Sequence, residues 1–309
     1  MNEPLVSVIC ASYNQSAYIR QALDSVASQT YKNLEIVIWD DASSDDSVLQ
    51  IETWITEHPD LQITFIKNEQ NLGICKSLNI AFSKTAGKYI QLLALDDALY
   101  PDKLERQVQV LENSQPHDAL VFSDAHLMND HSMRYQNNFI AYHKHYLSLQ
   151  SGNYFDDLLL FNYIPAMTIL YKREVLEKIG PWDETLVYED YDMLLRLAKK
   201  YDFIFDDQVS ALYRFHEHNT HKAISNQMQT SLFAIYLKYI NYNRNVNKFL
   251  LDNIRSNYLR GELSDHHLQY FSINKPSGWK QKWIAKRRNV SLYKLLNKLS
   301  EIKNTVLYS

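Results

Sequence analysis

The chain is expected to be an α/β protein, with a mostly parallel, doubly wound central sheet flanked by helices and a helical extension at its C-terminal end. Three observations predict this. Short β-runs alternate with helical spacing through the first half of the sequence. Polar and acidic residues gather just after those runs: Tyr13 and Asn14, Asp40 and Asp41, Asn68 and Asn71, Asp96 and Asp97. In a parallel sheet such positions share one rim, where open α/β sheets bind ligands. Beyond Ala223 the spacing is helical, broken near Gly261 and at Pro276 to Gly278. The expected division is a catalytic-type domain over 1–222 and a helical extension over 223–309.

Residues 5–11 are the first β-run, ending at Ala11 before the polar loop 12–16. Ile19, Leu23, Val26 and Ala27 give 17–29 helical spacing. A second strand, 34–39, leads into Asp40, Asp41 and a serine-rich loop; Val48, Ile51, Trp54 and Ile55 then share a helix face. Residues 63–66 form a third strand and 74–83 a helix with Leu78, Ala81 and Phe82 inward. The fourth strand begins at Tyr89 and stops at Asp96 and Asp97. Asp102 and Glu105 have capping-box spacing for the helix that carries Leu104, Val108 and Leu111. Residues 121–124 read as a fifth strand, 167–171 as a short strand, 172–179 as a short helix, and 203–213 as one or two strands. Between them, 125–165 is rich in His, Tyr and Asn with weak periodicity, as in substrate-side loops.

Composition narrows the function. Hydrophobic content of 46% with 22% charged residues excludes wholesale disorder. The six glycines (Gly73, Gly87, Gly152, Gly180, Gly261, Gly278) form neither a P-loop nor G-x-G-x-x-G. Phosphates would therefore lack a glycine cradle, which speaks against dehydrogenases and nucleotidyltransferases. Cys10 and Cys75 have no zinc or redox spacing, and a reducing cytoplasm suits them. The N-terminus has no basic n-region, so no signal peptide is expected, and no apolar run is long enough for a transmembrane helix. The net charge of −4 conceals an asymmetry: residues 275–303 carry nine Lys/Arg against Glu301 alone, leaving −12 elsewhere.

Asp96 and Asp97, taken alone, suit either a helix cap or a hard cation that holds phosphates. The wider pattern adds a resemblance. Ser7 to Asn14, Gln29 to Tyr31 and Glu35 to Asp45 look like the opening of family-2 inverting glycosyltransferases of the GT-A fold. The likeness continues through Asn71 to Gly73, Leu95 to Asp97, Gly180 to Glu184, Tyr188 to Asp190 with Leu195 and Arg196, and Tyr213 to His216. It runs in order from residue 5 to about 220 and does not reach 225–309.

The resemblance implies a bacterial polysaccharide- or lipooligosaccharide-type enzyme. It would move a sugar from a nucleotide-sugar donor, with UDP as its nucleotide, to a hydroxyl of a glycan or lipid-linked acceptor. Ala11, Tyr13 and Asp41 would meet the nucleotide, Tyr13 by stacking and Asp41 by accepting from the base. Asp96 would touch the ribose, and Asp97 and His216 would hold Mn²⁺ or Mg²⁺. The family's fuller motif has a carboxylate where Ala94 stands, so the cation would lean on the donor's own phosphates. Lys76 and Arg214 would contact phosphate. Asn71 is grouped with the substrate-binding residues, although it and Asn79 also suit loop fixing. Asp190 is expected as the base that takes the acceptor proton, kept ionised at a helix N-terminus, with Glu189 as its orienting neighbour. His216, His218 and His221 would suggest zinc, but neither Cys nor HExxH accompanies them. A non-catalytic nucleotide-sugar or glycan-binding scaffold of the same fold is the alternative.

The tail interleaves Trp279, Trp283, Tyr293, Leu296, Leu299 and Ile302 with its cations. This fits an anionic membrane surface, hence peripheral placement on the inner face of the cytoplasmic membrane; a basic helix packed on the acidic domain fits too. No nucleic-acid module is present, so no nucleic-acid partner is expected.

Overall fold

The computed structural model describes residues 3–143, 149–216 and 226–307. It divides into two compact units, Met1–Met228 and Gln229–Ser309. His218 and His221 lie outside the described residues, as do the side chains of Leu299 and Ile302.

The first unit alternates as expected: β1 (Val6–Ser12), α1 (Ile19–Ala27), β2 (Leu34–Asp40), α2 (Ser47–Glu57), β3 (Ile63–Lys67), α3 (Ile74–Phe82) and β4 (Tyr89–Ala94). Then come β5 (Ala98–Leu99), α4 (Lys103–Glu112), β6 (Asp118–Phe122), β7 (Ala125–Asn129), β8 (Arg134–Asn138), α5 (Phe139–His143) and α6 (Phe155–Leu158). A 3₁₀ turn, Ala166–Thr168, precedes β9 (Leu170–Lys172), α7 (Arg173–Ile179), α8 (Glu189–Ala198), β10 (Asp202–Phe205) and β11 (Ala211–Phe215).

Seven strands form the main sheet in the order β10-β6-β9-β4-β1-β2-β3. All its pairings are parallel except those of β9, which runs antiparallel to both β4 and β6. Strand β1 is buried on both faces, as its unbroken apolar run requires. Helix α1 buries Ile19, Ala22, Leu23 and Val26 against it, and α2 adds Ile51 and Trp54. These side chains form one continuous core that fixes the C-terminal strand ends in a row.

A second sheet, β5-β11-β7-β8, was not foreseen in full. Strand β8 is almost wholly exposed and polar, and β5 has two residues, so neither carries a periodic signal. The small sheet matters because β5 begins one residue after Asp97 and pairs antiparallel with β11, Ala211 opposite Leu99 and Leu212 opposite Ala98. That register carries Arg214 and His216 to the aspartate pair. The capping box expected at α4 does not form. Asp102 is the N-cap without a side-chain cap bond; its carboxylate pairs with Arg106, and Glu105 accepts from Thr30 Oγ1 at 2.6 Å.

In the second unit, α9 (Asn226–Leu237) enters from the first, followed by α10 (Arg244–Arg260), α11 (Asp265–Ile273), α12 (Gly278–Ala285) and α13 (Val290–Leu307). Asn243 caps α10 by accepting from Val246 N–H at 2.9 Å, and Gly261, at φ +78°, ends it in the left-handed conformation that glycine adopts without strain. Phe233, Leu250, Ile254, Tyr258, Ile284 and Tyr293 are buried.

Candidate active site

The strand ends are tied into a rim. Ser12 C=O accepts from Asp41 N–H and Asp40 C=O from Asn68 N–H, both at 3.0 Å, while Leu95 N–H donates to Ala11 C=O at 2.8 Å. Ala11 therefore sits at the end of β1, opposite Trp39 on one side and Ala94 on the other. Tyr13 follows at 51% exposure. Asn14, at φ +54°, staples this loop to the next by accepting from Ser44 N–H at 2.8 Å and donating its own N–H to Ser43 Oγ at 2.9 Å.

Asp40 and Asp41 differ from a solvated pair. Asp40 accepts from Ser43 N–H (2.8 Å), Ser43 Oγ (2.6 Å) and Ser12 Oγ (2.9 Å). Asp41, also buried, takes four donors. Oδ1 accepts from Asn68 Nδ2 (2.8 Å), Ser77 Oγ (2.9 Å) and Leu72 N–H (3.0 Å), and Oδ2 from Gly73 N–H (3.0 Å). A carboxylate has about four acceptor positions, two on each oxygen. Asp41 is thus first the anchor of the loop into α3, and a base N–H would have to use Oδ2. Asn71 Oδ1 also accepts from Gly73 N–H, at 3.1 Å, a loop-fixing bond. Lys76 is exposed and makes no ion pair among the described residues.

Asp96 and Asp97 lie in the tight turn closed by Asp97 N–H donating to Ala94 C=O at 3.0 Å. His216 Nε2 stands 2.9 Å from Asp96 Oδ2. The other oxygen, Asp96 Oδ1, is buried without a hydrogen-bond partner among the described residues. Asp97 Oδ1 accepts from Arg214 N–H at 2.8 Å. Burial, and then the charge of Asp96, push the Asp97 carboxyl well above the usual carboxylate range. Buried Asp97 and half-buried Asp96, one oxygen of which lacks a partner, beside an imidazole are a donor set that a hard divalent cation fits. No three-residue His/Cys/Asp/Glu cluster poised for a metal occurs among the described residues. His216 is joined here to Asp96, the carboxylate expected at the ribose, rather than to Asp97.

Arg214, expected to contact phosphate, lies beneath the acidic turn. Its side chain is 1% exposed and turns inward: Nε donates to Asp96 C=O at 2.8 Å, and Nη1 to Asn129 C=O and Ser132 Oγ at 3.0 and 3.2 Å. Nη2 reaches Gln21 Oε1, and the guanidinium lies 4.5 Å from the centre of the Tyr18 ring. Arg214 thus holds the aspartate turn through its N–H to Asp97 and its Nε to Asp96 C=O. Tyr18, whose ring also lies 5.3 Å from that of His216, was not singled out from the sequence; within a helical run it reads as a surface tyrosine.

Glu189 and Asp190 open α8, half-buried. Asp190 Oδ1 accepts from Tyr191 N–H at 2.7 Å and Oδ2 from Asn162 Nδ2 at 2.9 Å. Asn162, in the stretch without periodicity, is a second residue the sequence did not reveal. The helix N-terminus was expected to keep Asp190 fully ionised, yet burial raises its carboxyl. Burial, and then the charge of Asp190, push Glu189 up to about 8. Tyr171, Tyr188 and Cys75 are raised by the same cluster, each first by its own burial. Tyr213 connects the two acidic groups: its hydroxyl is raised by burial and then by Asp97, Asp96 and Asp190 together.

A two-sheet α/β unit with an acidic turn at the strand ends and a histidine paired to it is the architecture of a GT-A glycosyltransferase. The comparisons agree. The sequence profile described as Glycosyl transferase family 2 matches residues 7–180. An uncharacterised glycosyltransferase of Rickettsia typhi is 32% identical over 240 residues, covering 76% of this chain and 72% of the relative. One from Methanocaldococcus jannaschii is 31% identical over 242 residues, covering 76% and 79%. Among solved structures, Staphylococcus aureus TarS (residues 1–349) in complex with UDP-GlcNAc superposes with a TM-score of 0.61 at 16% identity, covering 90% of this chain and 75% of that one. A Pyrobaculum calidifontis mannosyltransferase in complex with GDP-Man and Mn²⁺ gives 0.59 at 18% identity, covering 90% and 77%. The chain belongs to glycosyltransferase family 2.

Proposed function

We propose that this chain is an inverting, divalent-metal-dependent glycosyltransferase that moves a sugar from a nucleotide-sugar donor, a UDP-sugar, to a hydroxyl of a glycan or lipid-linked saccharide in cell-surface polysaccharide synthesis. The observation that supports it most directly is the acidic turn at the C-terminal strand ends, where His216 Nε2 lies 2.9 Å from Asp96 Oδ2 and Asp96 Oδ1 is left without a partner among the described residues, in a chain of glycosyltransferase family 2. Tyr13 stacks on the base, and Asp41 Oδ2 accepts from it. Asp97 and His216 are the residues that would hold Mn²⁺ or Mg²⁺, and Asp96 would meet the ribose. Such an ion supplies Lewis-acid stabilisation of the departing diphosphate. Asp190, oriented by Asn162 and the Tyr191 N–H, takes the proton of the acceptor hydroxyl. The acceptor oxygen bonds to the anomeric carbon as the bond to the phosphate oxygen breaks, its electron pair leaving with the nucleoside diphosphate, and the configuration inverts. Burial raises the Asp190 carboxyl and so strengthens it as a base.

Aromatic rings support a saccharide acceptor. From Tyr213 they continue to Phe139 (4.9 Å between ring centres) and Phe215 (5.3 Å), and from Phe215 to Tyr142 (5.6 Å) and Tyr135 (6.3 Å). Tyr142 and Tyr135 are exposed, and such rings suit the apolar faces of sugars.

The test is thermal unfolding with UDP-, GDP- and dTDP-sugars plus Mn²⁺, followed by transfer assays of Asp190→Asn. UDP-sugars raise the midpoint in proportion to the logarithm of ligand excess, and the variant keeps that shift while losing transfer. Full transfer by the variant would refute the base assignment, and a midpoint unmoved by every donor would refute the donor site.

A further inference from the structure

The cations of the C-terminal unit have no place in that chemistry. Between Lys275 and Lys298 the chain carries eight Lys/Arg and no acid. Lys275, Lys282, Lys286, Arg287, Arg288, Lys294 and Lys298 are exposed. Arg287 has an acidic partner, Asp265.

The apolar residues of this segment divide in a way the sequence did not show. Tyr293 and Ile284 are core, Tyr293 lying 5.2 Å from the Tyr258 ring. Trp283 is tied down, its Nε1 donating to Asn289 C=O at 3.2 Å and its ring lying 5.2 Å from the Arg288 guanidinium. Trp279, Leu292 and Leu295 remain on the outside, 40%, 44% and 55% exposed, among the cations. Trp279 packs on Tyr293 at 5.7 Å, which joins the start of α12 to α13. On α12 the exposed Trp279 and Lys282 stand three residues apart, and on α13 the exposed Leu292, Leu295 and Lys298 recur every three residues, so on each helix exposed apolar and cationic side chains are neighbours on one face.

We infer that the surface formed by Trp279, Leu292 and Leu295 with Lys282, Lys286, Lys294 and Lys298 docks on an anionic phospholipid bilayer. Charge complementarity selects an acidic partner, and the exposed indole and leucines select a lipid surface. They gain from the headgroup–acyl boundary and gain nothing from a phosphodiester backbone in water. The cations bring the chain to the surface, and the apolar side chains retain it when salt screens the charges.

The experiment is co-sedimentation of the full chain with vesicles of phosphatidylcholine alone, or of three parts phosphatidylcholine to one part phosphatidylglycerol. Tryptophan emission is read in parallel. The wild type partitions onto the phosphatidylglycerol vesicles with a blue shift that Trp279→Phe removes. Lys282→Glu, Lys286→Glu, Lys294→Glu and Lys298→Glu together lower the partition coefficient by at least about fivefold per cation. Leu292→Ser with Leu295→Ser, both at exposed positions, abolishes the fraction that stays bound in high salt. An unchanged unfolding midpoint verifies that each variant is folded. Recovery in the supernatant with both vesicles overturns the inference. So does equal binding to both, or tight binding to a duplex oligonucleotide that phosphatidylglycerol vesicles do not compete away.

Discussion

Two buried carboxylate sites at opposite ends of the main sheet have opposite fates. At the N-terminal edge, Glu35 Oε1 accepts from Ser7 Oγ (2.6 Å), Ala86 N–H (2.5 Å) and Gly87 N–H (3.1 Å), so a buried charge is met by protein donors. At the C-terminal edge, Asp96 has a buried oxygen with no donor, and Asp97 and Asp190 are raised by burial. A buried polar group that the fold satisfies contributes to stability; one left short of partners costs free energy and is kept for what binds it. Asp41 shows that location alone does not decide the matter. It lies on the functional rim yet is filled like Glu35.

The largest effect is expected at the unsatisfied end. Asp97→Asn should lower transfer by about two to three orders of magnitude, the scale for losing one electrostatic stabiliser of the leaving group. Its unfolding midpoint without ligand should stay level or rise, because the charge removed is one the fold disfavours. Wild-type turnover by this variant would dissolve the contrast between the two ends.

At the satisfied end the order reverses. A Cβ on Gly87 would lie 2.5 Å from Ser7 N, a backbone atom that cannot yield cheaply. Gly87→Ala should cost about 1–3 kcal/mol of stability by overpacking. Glu35→Gln should cost a similar amount, about 1–3 kcal/mol, by mismatching three donors. Denaturant melts measure both. The specific activity of the folded fraction should remain that of the wild type, and a fall in kcat with unchanged stability would show that this edge also serves the site.

Asn162→Ala is expected to act more gently. It removes a bond that favours the charged form of Asp190, so the carboxyl rises further and the acid limb of kcat/KM moves to higher pH. The rate at neutral pH should fall roughly tenfold, the low end for a hydrogen bond to a charged group. A pH profile superimposable on the wild type would show that Asn162 does not tune the base.

Glu189 is expected to act on the pH dependence of stability. Its folded carboxyl titrates near 8 against an ordinary 4.5, so the folded state holds the proton more tightly. Its favourable contribution is present below 4.5 and is lost as pH rises through 8. Glu189→Gln should therefore gain stability relative to wild type on going from acidic to alkaline buffer. The gain is read as a rise of the variant's unfolding midpoint relative to wild type as pH increases through about 8. Parallel pH–midpoint curves would remove the burial argument.

Sequence by itself determined the alternation of β1 to β4 with their helices, because apolar period and turn residues are local properties of the chain. It also brought Asp96, Asp97, Asp190 and His216 into one list through motif order. It did not reveal β5, β7 and β8, whose short or polar strands are stable only when paired with neighbours far along the chain. Nor could it show which carboxylates are filled. Asp41 and Asp96 look alike in sequence, and the difference lies in Asn68, Leu72, Gly73 and Ser77 folding back on one and leaving the other with an empty oxygen. Arg214 likewise reads as a solvated cation until β11 pairs with β5 and buries it under the acidic turn. Periodicity is written in neighbours along the chain; the satisfaction of a buried charge depends on donors that only tertiary contact supplies.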